Sequence, residues 1–227
     1  KIDNPTIKFS DSPEIRNIFF EWRGHLNLDR KKNNHESYHQ VLEFGKGWNE
    51  RYETELEIHI ADLKNSSLEI PTIKFQNKYN FIKKKNFLFS TFFSYNLATE
   101  NNDADQIEYK FLFQNKFKHL IINNGFGFYK NINGSKSKNT VLKYFPLIFF
   151  KEPVFSDVYL ALAGSSDFGK ISKFNTYTNQ KHQYGFGLKK TFQKGTRQSF
   201  DLTLAYLKGL NSSSFDQSLI WYFNKSF

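Results

Sequence analysis

The chain has 227 residues, with 32 Lys and Arg against 22 Asp and Glu, a formal charge of +10, and no Cys. Aromatic residues make up 19% of it, whereas its mean hydropathy is only −0.61. The lack of Cys excludes a disulfide framework and thiolate metal sites. A soluble globular protein usually takes its apolar mass from aliphatic residues, so this composition is unusual for that class. Membrane helices are also excluded, because no stretch approaches the roughly 18 apolar residues that one needs.

The net positive charge raises nucleic acid as a partner. However, the lysines are scattered through predicted turns and loops, and the sequence contains no helix-turn-helix, zinc-finger or RNP-like motif. We therefore expect no nucleic-acid partner. The chain has no Met, even at position 1, and no charged and apolar leader, as expected after removal of a signal peptide.

Polar and apolar side chains alternate along much of the chain. Residues 51–60 read Arg-Tyr-Glu-Thr-Glu-Leu-Glu-Ile-His-Ile. Successive side chains of a strand point to opposite faces, so this segment has one polar wall and one largely apolar wall. The pattern predicts about twelve strands, at roughly 15–29, 37–46, 51–61, 70–81, 86–97, 106–115, 117–129, 140–150, 154–164, 181–191, 198–208 and 215–227. The eighth is apolar on both faces, so its orientation stays open.

The connections between the predicted strands alternate in length. Long polar loops fall at about 29–36, 62–69, 98–105, 130–139, 165–180 and 209–214, and short turns at about 47–50, 82–85, 115–116, 151–153 and 192–197. Short turns at one rim and long loops at the other are typical of outer-membrane barrels. We predict an all-β fold, a single transmembrane antiparallel up-and-down barrel over residues 15–227, with residues 1–14 as a periplasmic lead-in.

Two segments resemble known proteins. Residues 215–227 resemble the C-terminal strand of bacterial outer-membrane barrels, with alternating apolar residues and a final aromatic, Phe227, although Lys225 departs from the pattern. Residues 17–60, with Trp22, Leu-Glu-Phe-Gly at 42–45 and Thr-Glu-Leu-Glu at 54–57, resemble uncharacterised proteobacterial outer-membrane proteins, some of them labelled transporters. The resemblance implies a bacterial outer-membrane location. The expected partners of the protein are outer-membrane lipid, lipopolysaccharide and a small polar solute, and we expect the chain to be a monomer.

Ionisable side chains share one predicted face and are expected to line the barrel interior. They are Glu21, Arg23, His25, His39, Glu43, Arg51, Glu53, Glu55, Glu57, His59, Lys74, Lys78, Glu108 and Lys110. Two interpretations stay open: a narrow water-filled pore with charge-based selectivity, or a plugged interior with cross-strand pairs between the acidic row and the lysines of the fourth strand. On the opposite face, five aromatic residues are expected in a membrane girdle: Trp22, Tyr52, Tyr79, Phe81 and Trp221.

The segment His35-Glu36-Ser37-Tyr38-His39 matches the zinc-protease pattern H-E-x-x-H. That chemistry requires a helix, whereas on a strand the two imidazoles would lie about 13 Å apart. His35 and Ser37 are also similar to the His-x-Ser of outer-membrane phospholipases, but the Asn-Gly that follows there is missing here. We therefore assign no catalytic residue, no metal ligand and no cofactor.

The sequence predicts an outer-membrane barrel that acts as a passive, porin-like channel for small polar or anionic solutes rather than as an enzyme. Three alternatives stay open. They are a hydrolase that modifies lipid or lipopolysaccharide, a structural barrel with a plugged lumen, and a soluble β-sandwich that binds carbohydrate.

Overall fold

The computed structural model describes residues 13–29, 37–62, 68–99, 104–133, 139–194 and 198–227. The strands are β1 (Ile18–Leu28), β2 (Ser37–Gly47), β3 (Tyr52–Asp62), β4 (Glu69–Lys84), β5 (Phe87–Ala98), β6 (Gln106–Lys116), β7 (Leu120–Asn131), β8 (Thr140–Phe155), β9 (Val158–Lys170), β10 (Lys181–Lys194), β11 (Gln198–Gly209) and β12 (Gln217–Ser226). A short 3-10 helix covers Tyr177–Asn179. Within these ranges, no helix has the length and apolar character needed to cross a membrane.

The strands form a closed antiparallel barrel in which each pairs with its neighbours in the sequence and β1 pairs with β12. The backbone N–H of Phe227 completes the seam by donating to the carbonyl of Ile18 at 2.8 Å. The predicted twelve-stranded, up-and-down barrel is therefore confirmed. Closure matters because a barrel without edges satisfies every ladder hydrogen bond internally, which a strand in hydrocarbon requires.

Several strand boundaries differ from the prediction, and two of the differences have clear local reasons. The first strand begins at Ile18 rather than near residue 15, because residues 13–17 leave the wall and enter the interior. The predicted turn at 151–153 is wrong: β8 continues through Pro153 to Phe155, and the turn lies at 156–157. The register of β8 against β9 shifts on both sides of Pro153. Such irregularities accommodate a residue that cannot donate to the ladder.

The outward face of the wall is apolar and aromatic. Large hydrophobic side chains exposed on it include Phe44, Phe75, Phe93, Phe186 and Leu204. An apolar outer band on a closed antiparallel barrel is the arrangement that a membrane requires. We call the end of the barrel with turns at 48–51, 85–86, 117–119 and 156–157 the short-turn rim.

The interior has two chemically different halves. Strands β1–β6 contribute mostly charged and polar side chains, whereas β9–β12 contribute a buried apolar cluster of Ala163, Ala205, Leu207 and Ile220. Leu147 of β8 packs against this cluster, which settles the orientation of the strand whose two faces were both apolar. The polar half therefore holds the candidate site.

Candidate functional site

Charged side chains of β1–β6 and Arg16 form one network inside the barrel, which we call the charged cluster. Among the described residues its acidic members are Glu21, Glu43, Glu53, Glu55, Glu57 and Glu108, and its basic members are Arg16, Arg23, Lys74, Lys78 and Lys110. Every member on a strand is at most 5% exposed. Buried charges are costly unless they are paired, so the geometry of the pairing decides what this interior can do.

The acidic row of β3 meets basic and amide side chains of β4 across the sheet. The register places Glu53 opposite Lys78 and Glu57 opposite Lys74. Lys78 Nζ lies 2.6 Å from Glu53 Oε1, and Lys74 Nζ lies 3.6 Å from Glu57 Oε1. The cross-strand pairs that the sequence predicted between the acidic row and the lysines of β4 are therefore confirmed.

Glu57 and Glu108 extend the network around the wall. Arg23 Nη2 on β1 lies 3.0 Å from Glu57 Oε2. Lys74 Nζ on β4 is 2.6 Å from Glu108 Oε2, and Lys110 Nζ is 2.6 Å from Glu108 Oε1. A continuous path of ion pairs therefore connects β1 to β6 across the polar half of the interior.

Arg16 is the member of the cluster that does not belong to the wall. Its Nη2 lies 3.0 Å from Glu53 Oε1 and 2.9 Å from Glu55 Oε1. The same guanidinium also pairs with Glu21 and, at 3.4 Å, with Glu43. One arginine thus pairs with four carboxylates from three different strands and offsets part of their mutual repulsion.

The backbone around Arg16 is also tied to the wall. We call residues 13–17 the inner segment. Gly47 N donates to the carbonyl of Asn17 at 2.6 Å, Lys78 Nζ to that of Glu14 at 2.7 Å, and Ser90 Oγ to that of Pro13 at 2.9 Å. Residues 13 and 14 of the predicted lead-in therefore lie inside the barrel mouth, while residues 1–12 lie outside the described ranges.

Three histidines lie on the long-loop side of the charged cluster. The rings of His39 and His59 stack with centroids 5.1 Å apart, and His25 meets His39 edge-on at 5.3 Å. His39 Nε2 is 3.1 Å from His59 Nδ1, and His59 Nε2 is 3.0 Å from Glu57 Oε2. The histidines thus continue the polar interior beyond the ion pairs.

The structure brings together all of the predicted interior residues except one. Arg51 lies in the turn before β3 and is exposed to solvent. Of the residues that lie inside, His59 is partly exposed and the others are buried from water, so their pore-lining role stays a prediction. His35 and Glu36 of the zinc-protease pattern lie outside the described residues, whereas His39 lies on β2.

The predicted girdle aromatics fall at two heights. Tyr52 begins β3 at the short-turn rim and pairs in register with Tyr79, whose ring contacts Phe81. Trp22 and Trp221 lie near the middle of β1 and β12, with centroids 6.3 Å apart. For all five aromatic residues, the interfacial role stays a prediction.

Sequence reasoning missed two interior contacts. Arg16 was assigned to the start of the first strand, and only its position beside the acidic row of β3 shows its role. Tyr222 was not among the predicted interior residues, but its hydroxyl donates to Glu21 Oε1 at 2.5 Å. Tyr222 lies two positions before the polar Asn224 and so shares its strand face, which was the signal in the sequence for an interior position.

A solved structure of the NanC porin is similar to this one, with a TM-score of 0.59 over 92% of this chain and 98% of that chain at 12% identity. The chain has the fold of a bacterial outer-membrane β-barrel. This outer-membrane barrel also aligns with a bacterial polysaccharide outer membrane secretin, at 8% identity and a TM-score of 0.48 over 93% of this chain and 98% of that one. Omp33 of Acinetobacter baumannii aligns at 10% identity and 0.43, over 95% and 100%. No protein-family model and no curated protein sequence matches the barrel.

Proposed function

We propose that this barrel is a porin-like channel for small polar solutes, and that the inner segment holds it closed in the state described here. It would act as a monomer, and outer-membrane lipid and lipopolysaccharide would surround it. The alignment with a porin structure supports the architecture. The charged cluster supports the function.

The observation that carries the proposal is that one arginine from outside the wall forms ion pairs with four glutamates on it. A barrel that needs only a filled interior can use apolar side chains, as β9–β12 do here. Replacing buried ion pairs by apolar groups of similar volume is often neutral or stabilising, so ion pairs are weak evidence for a purely structural role. A charged interior can act as a selectivity filter. A short segment that covers or exposes these charges can act as its gate.

The closed state follows from burial. The strand residues of the charged cluster are at most 5% exposed, so a hydrated solute does not reach them in this state. Conduction requires the inner segment to withdraw, which would break the contacts of Arg16 and the hydrogen bonds to Pro13, Glu14 and Asn17.

Withdrawal would also set the selectivity. Without Arg16, the described cluster retains more carboxylates than cationic side chains, because Arg23, Lys74, Lys78 and Lys110 face six glutamates. A ring of net negative charge attracts cations. The open channel should therefore prefer cations and neutral polar solutes. This keeps the small polar solutes of the sequence-based expectation and replaces its anionic solutes with cations.

No covalent chemistry is part of this proposal. A lipid hydrolase needs a nucleophile and a base that face lipid, whereas the charged cluster faces inward. The second candidate is a structural barrel with a permanently plugged lumen, which the burial of the cluster favours. The two candidates differ in what happens when Arg16 is removed.

Liposome swelling tests the proposal. Proteoliposomes that contain Arg16→Ala should take up a small neutral sugar faster than those with the wild type or with Arg51→Ala, which alters an exposed arginine. A salt gradient across the same liposomes should give a cation-selective potential. No uptake by any variant, each shown to be folded by its heat-dependent gel mobility, would favour the structural barrel instead.

A further inference from the structure

Ser166 of β9 and His182 of β10 lie side by side on the outer face of the barrel wall. They are directly opposite each other in the β9–β10 register. Alternate residues of a strand share a face, and Leu162, Tyr184 and Phe186, at even spacing from this pair, are exposed on the outside. Both residues are near the long-loop ends of their strands. The pair therefore lies where the apolar band of the wall meets the long loops.

A chain of hydrogen bonds passes through this pair. The Tyr184 hydroxyl lies 2.7 Å from Ser166 Oγ, and Ser166 Oγ lies 2.9 Å from His182 Nδ1. On the far side of the imidazole, His182 Nε2 lies 2.8 Å from Gln180 Oε1. We call Ser166, His182 and Gln180 the outer triad. The porin-like function makes no use of it, because the charged cluster lies on the inner face.

The amide of Gln180 determines which nitrogen of His182 carries the proton. Its Nε2 donates to the carbonyl of Asn175 at 2.7 Å, so Oε1 is the amide atom that faces the imidazole. An amide oxygen only accepts hydrogen bonds, so His182 Nε2 is the donor and Nδ1 of the neutral ring is left as an acceptor. The Ser166 hydroxyl therefore donates to Nδ1, as a nucleophile does to its general base.

We propose that the outer triad is a serine esterase site that hydrolyses a carboxylic ester of a lipid in the surrounding membrane. A serine bonded to an imidazole, which a third group orients, is the arrangement that activates a serine hydroxyl. The triad also faces lipid at the boundary between acyl chains and polar groups, where lipid esters lie. It is separate from the His-x-Ser segment at 35–37.

The loop at 171–180 supports the base. The ring of Tyr177 stacks on His182 with centroids 5.4 Å apart, and Phe168 meets the same imidazole edge-on at 5.8 Å. Asn211 Nδ2 holds the loop by donating to the carbonyls of Tyr177 at 2.6 Å and of Gln180 at 2.8 Å. The imidazole is therefore fixed on both faces of its hydrogen-bonded edge, which keeps Nδ1 directed at Ser166.

Tyr184 is placed to serve the same reaction. It pairs in register with Gly164, where a Cβ atom would lie 2.3 Å from the tyrosine ring. The missing side chain lets the ring lie across β9 with its hydroxyl at Ser166 Oγ. Tyr184 is 36% exposed, so its ring can turn toward lipid and admit an ester to Ser166, which is 2% exposed in this state. Its hydroxyl then donates to the ester carbonyl oxygen.

The reaction consumes one water and needs no other reactant. Ser166 Oγ attacks the ester carbonyl carbon while His182 Nδ1 accepts the hydroxyl proton, and Tyr184 stabilises the oxyanion. The bond to the alcohol oxygen breaks, and the proton passes from Nδ1 to that oxygen. Water then loses a proton to Nδ1 and attacks the acyl carbon. Fatty acid leaves, and the proton returns to Ser166 Oγ.

A fluorophosphonate probe, which phosphonylates activated serines, tests the nucleophile on the full chain in detergent micelles. Mass spectrometry should locate the label on Ser166 of the wild type, and His182→Asn should slow labelling at least about a hundredfold. Ser165→Ala is the matched control, because this adjacent serine is buried on the inner face and its loss should leave labelling unchanged. A wild type without label on Ser166, or equal labelling rates for wild type and His182→Asn, would overturn the proposal. Because the labelled position is read on the wild type, the test holds even where a variant does not fold.

Gln180 is a positioning residue, and two variants separate orientation from packing. Gln180→Glu retains an acceptor oxygen for His182 Nε2 and should be labelled within about threefold of the wild-type rate, whereas Gln180→Leu should be labelled at least about tenfold more slowly. Equal rates for the two variants would overturn the role of Gln180 in orienting the imidazole.

Fatty-acid release identifies the ester. The wild type is mixed with detergent micelles of phosphatidylethanolamine and, separately, with purified lipopolysaccharide, since both carry acyl esters. We expect release from at least one of them and its loss in Ser166→Ala, and the lipid that reacts identifies the source. A labelled Ser166 without release from either lipid would overturn a lipid ester as the substrate.

Discussion

The ring of Phe19 fills the space that a side chain on Gly45 would occupy. A Cβ atom at Gly45 would lie 2.0 Å from a carbon of this ring. The Phe19 ring also supports Arg16, whose guanidinium carbon is 3.4 Å from the ring centroid. The lack of a side chain on β2 therefore positions an aromatic ring of β1, and this ring positions the arginine of the inner segment.

Gly45→Ala tests this stack. The added methyl group must displace Phe19, which removes the cation–π contact beneath Arg16 and should cost about 1–3 kcal/mol of stability through overpacking. We expect the variant to leak small solutes faster than the wild type but more slowly than Arg16→Ala, as liposome swelling would measure. Gly164→Ala is the control, because its Cβ would also meet an aromatic ring, that of Tyr184. Equal leakage by the two glycine variants would contradict the stack.

Glu57→Gln should destabilise the barrel strongly. Glu57 is fully buried and contacts Arg23, Lys74 and His59. Removing one partner of a buried ion pair leaves an uncompensated charge, so the free energy of unfolding should fall by about 3 kcal/mol. Glu50→Gln is the comparison, since Glu50 is 86% exposed and pairs only with Lys83 among the described residues. Its effect should stay within about 0.5 kcal/mol, and urea unfolding in detergent would measure both.

The tryptophans should report different depths in the bilayer. Trp22 and Trp221 lie near the middle of their strands, whereas Trp48 lies in a turn and donates to Thr54 Oγ1 at 2.9 Å. Bromine atoms deep in the acyl chains should quench the fluorescence of Trp48→Phe, which retains the two central rings, more than that of a variant that retains Trp48 alone. The reverse order would place the membrane at another height on the wall.

The fold was predictable because its signal is local. Alternation along residues such as Glu53, Glu55 and Glu57 fixes which face is polar, and register then follows from the charges that pair across strands. The alternating loop lengths also predicted the barrel, because the length of each connection is a local property of the sequence. The extension of β8 was not predictable, because Pro153 normally ends a strand and is tolerated here at an irregular pairing.

The site was predictable only in part. Parity placed Glu21, Glu43 and Lys78 on the interior, where the structure has them. The role of Arg16 depends on its contacts with glutamates that follow it by 5 to 39 positions in the sequence. No local pattern encodes this set of contacts. Whether the interior is open or filled depends on how side chains from opposite walls pack, and alternation carries no information about that.

Single-channel recording of Arg16→Ala in planar bilayers tests the central claim most directly. The account predicts that the wild type and Arg51→Ala are mostly silent, while Arg16→Ala shows discrete, cation-selective steps. Removal of the shared cation should both loosen the inner segment and expose the glutamates. A folded Arg16→Ala barrel that gives no steps, or steps selective for anions, would contradict it.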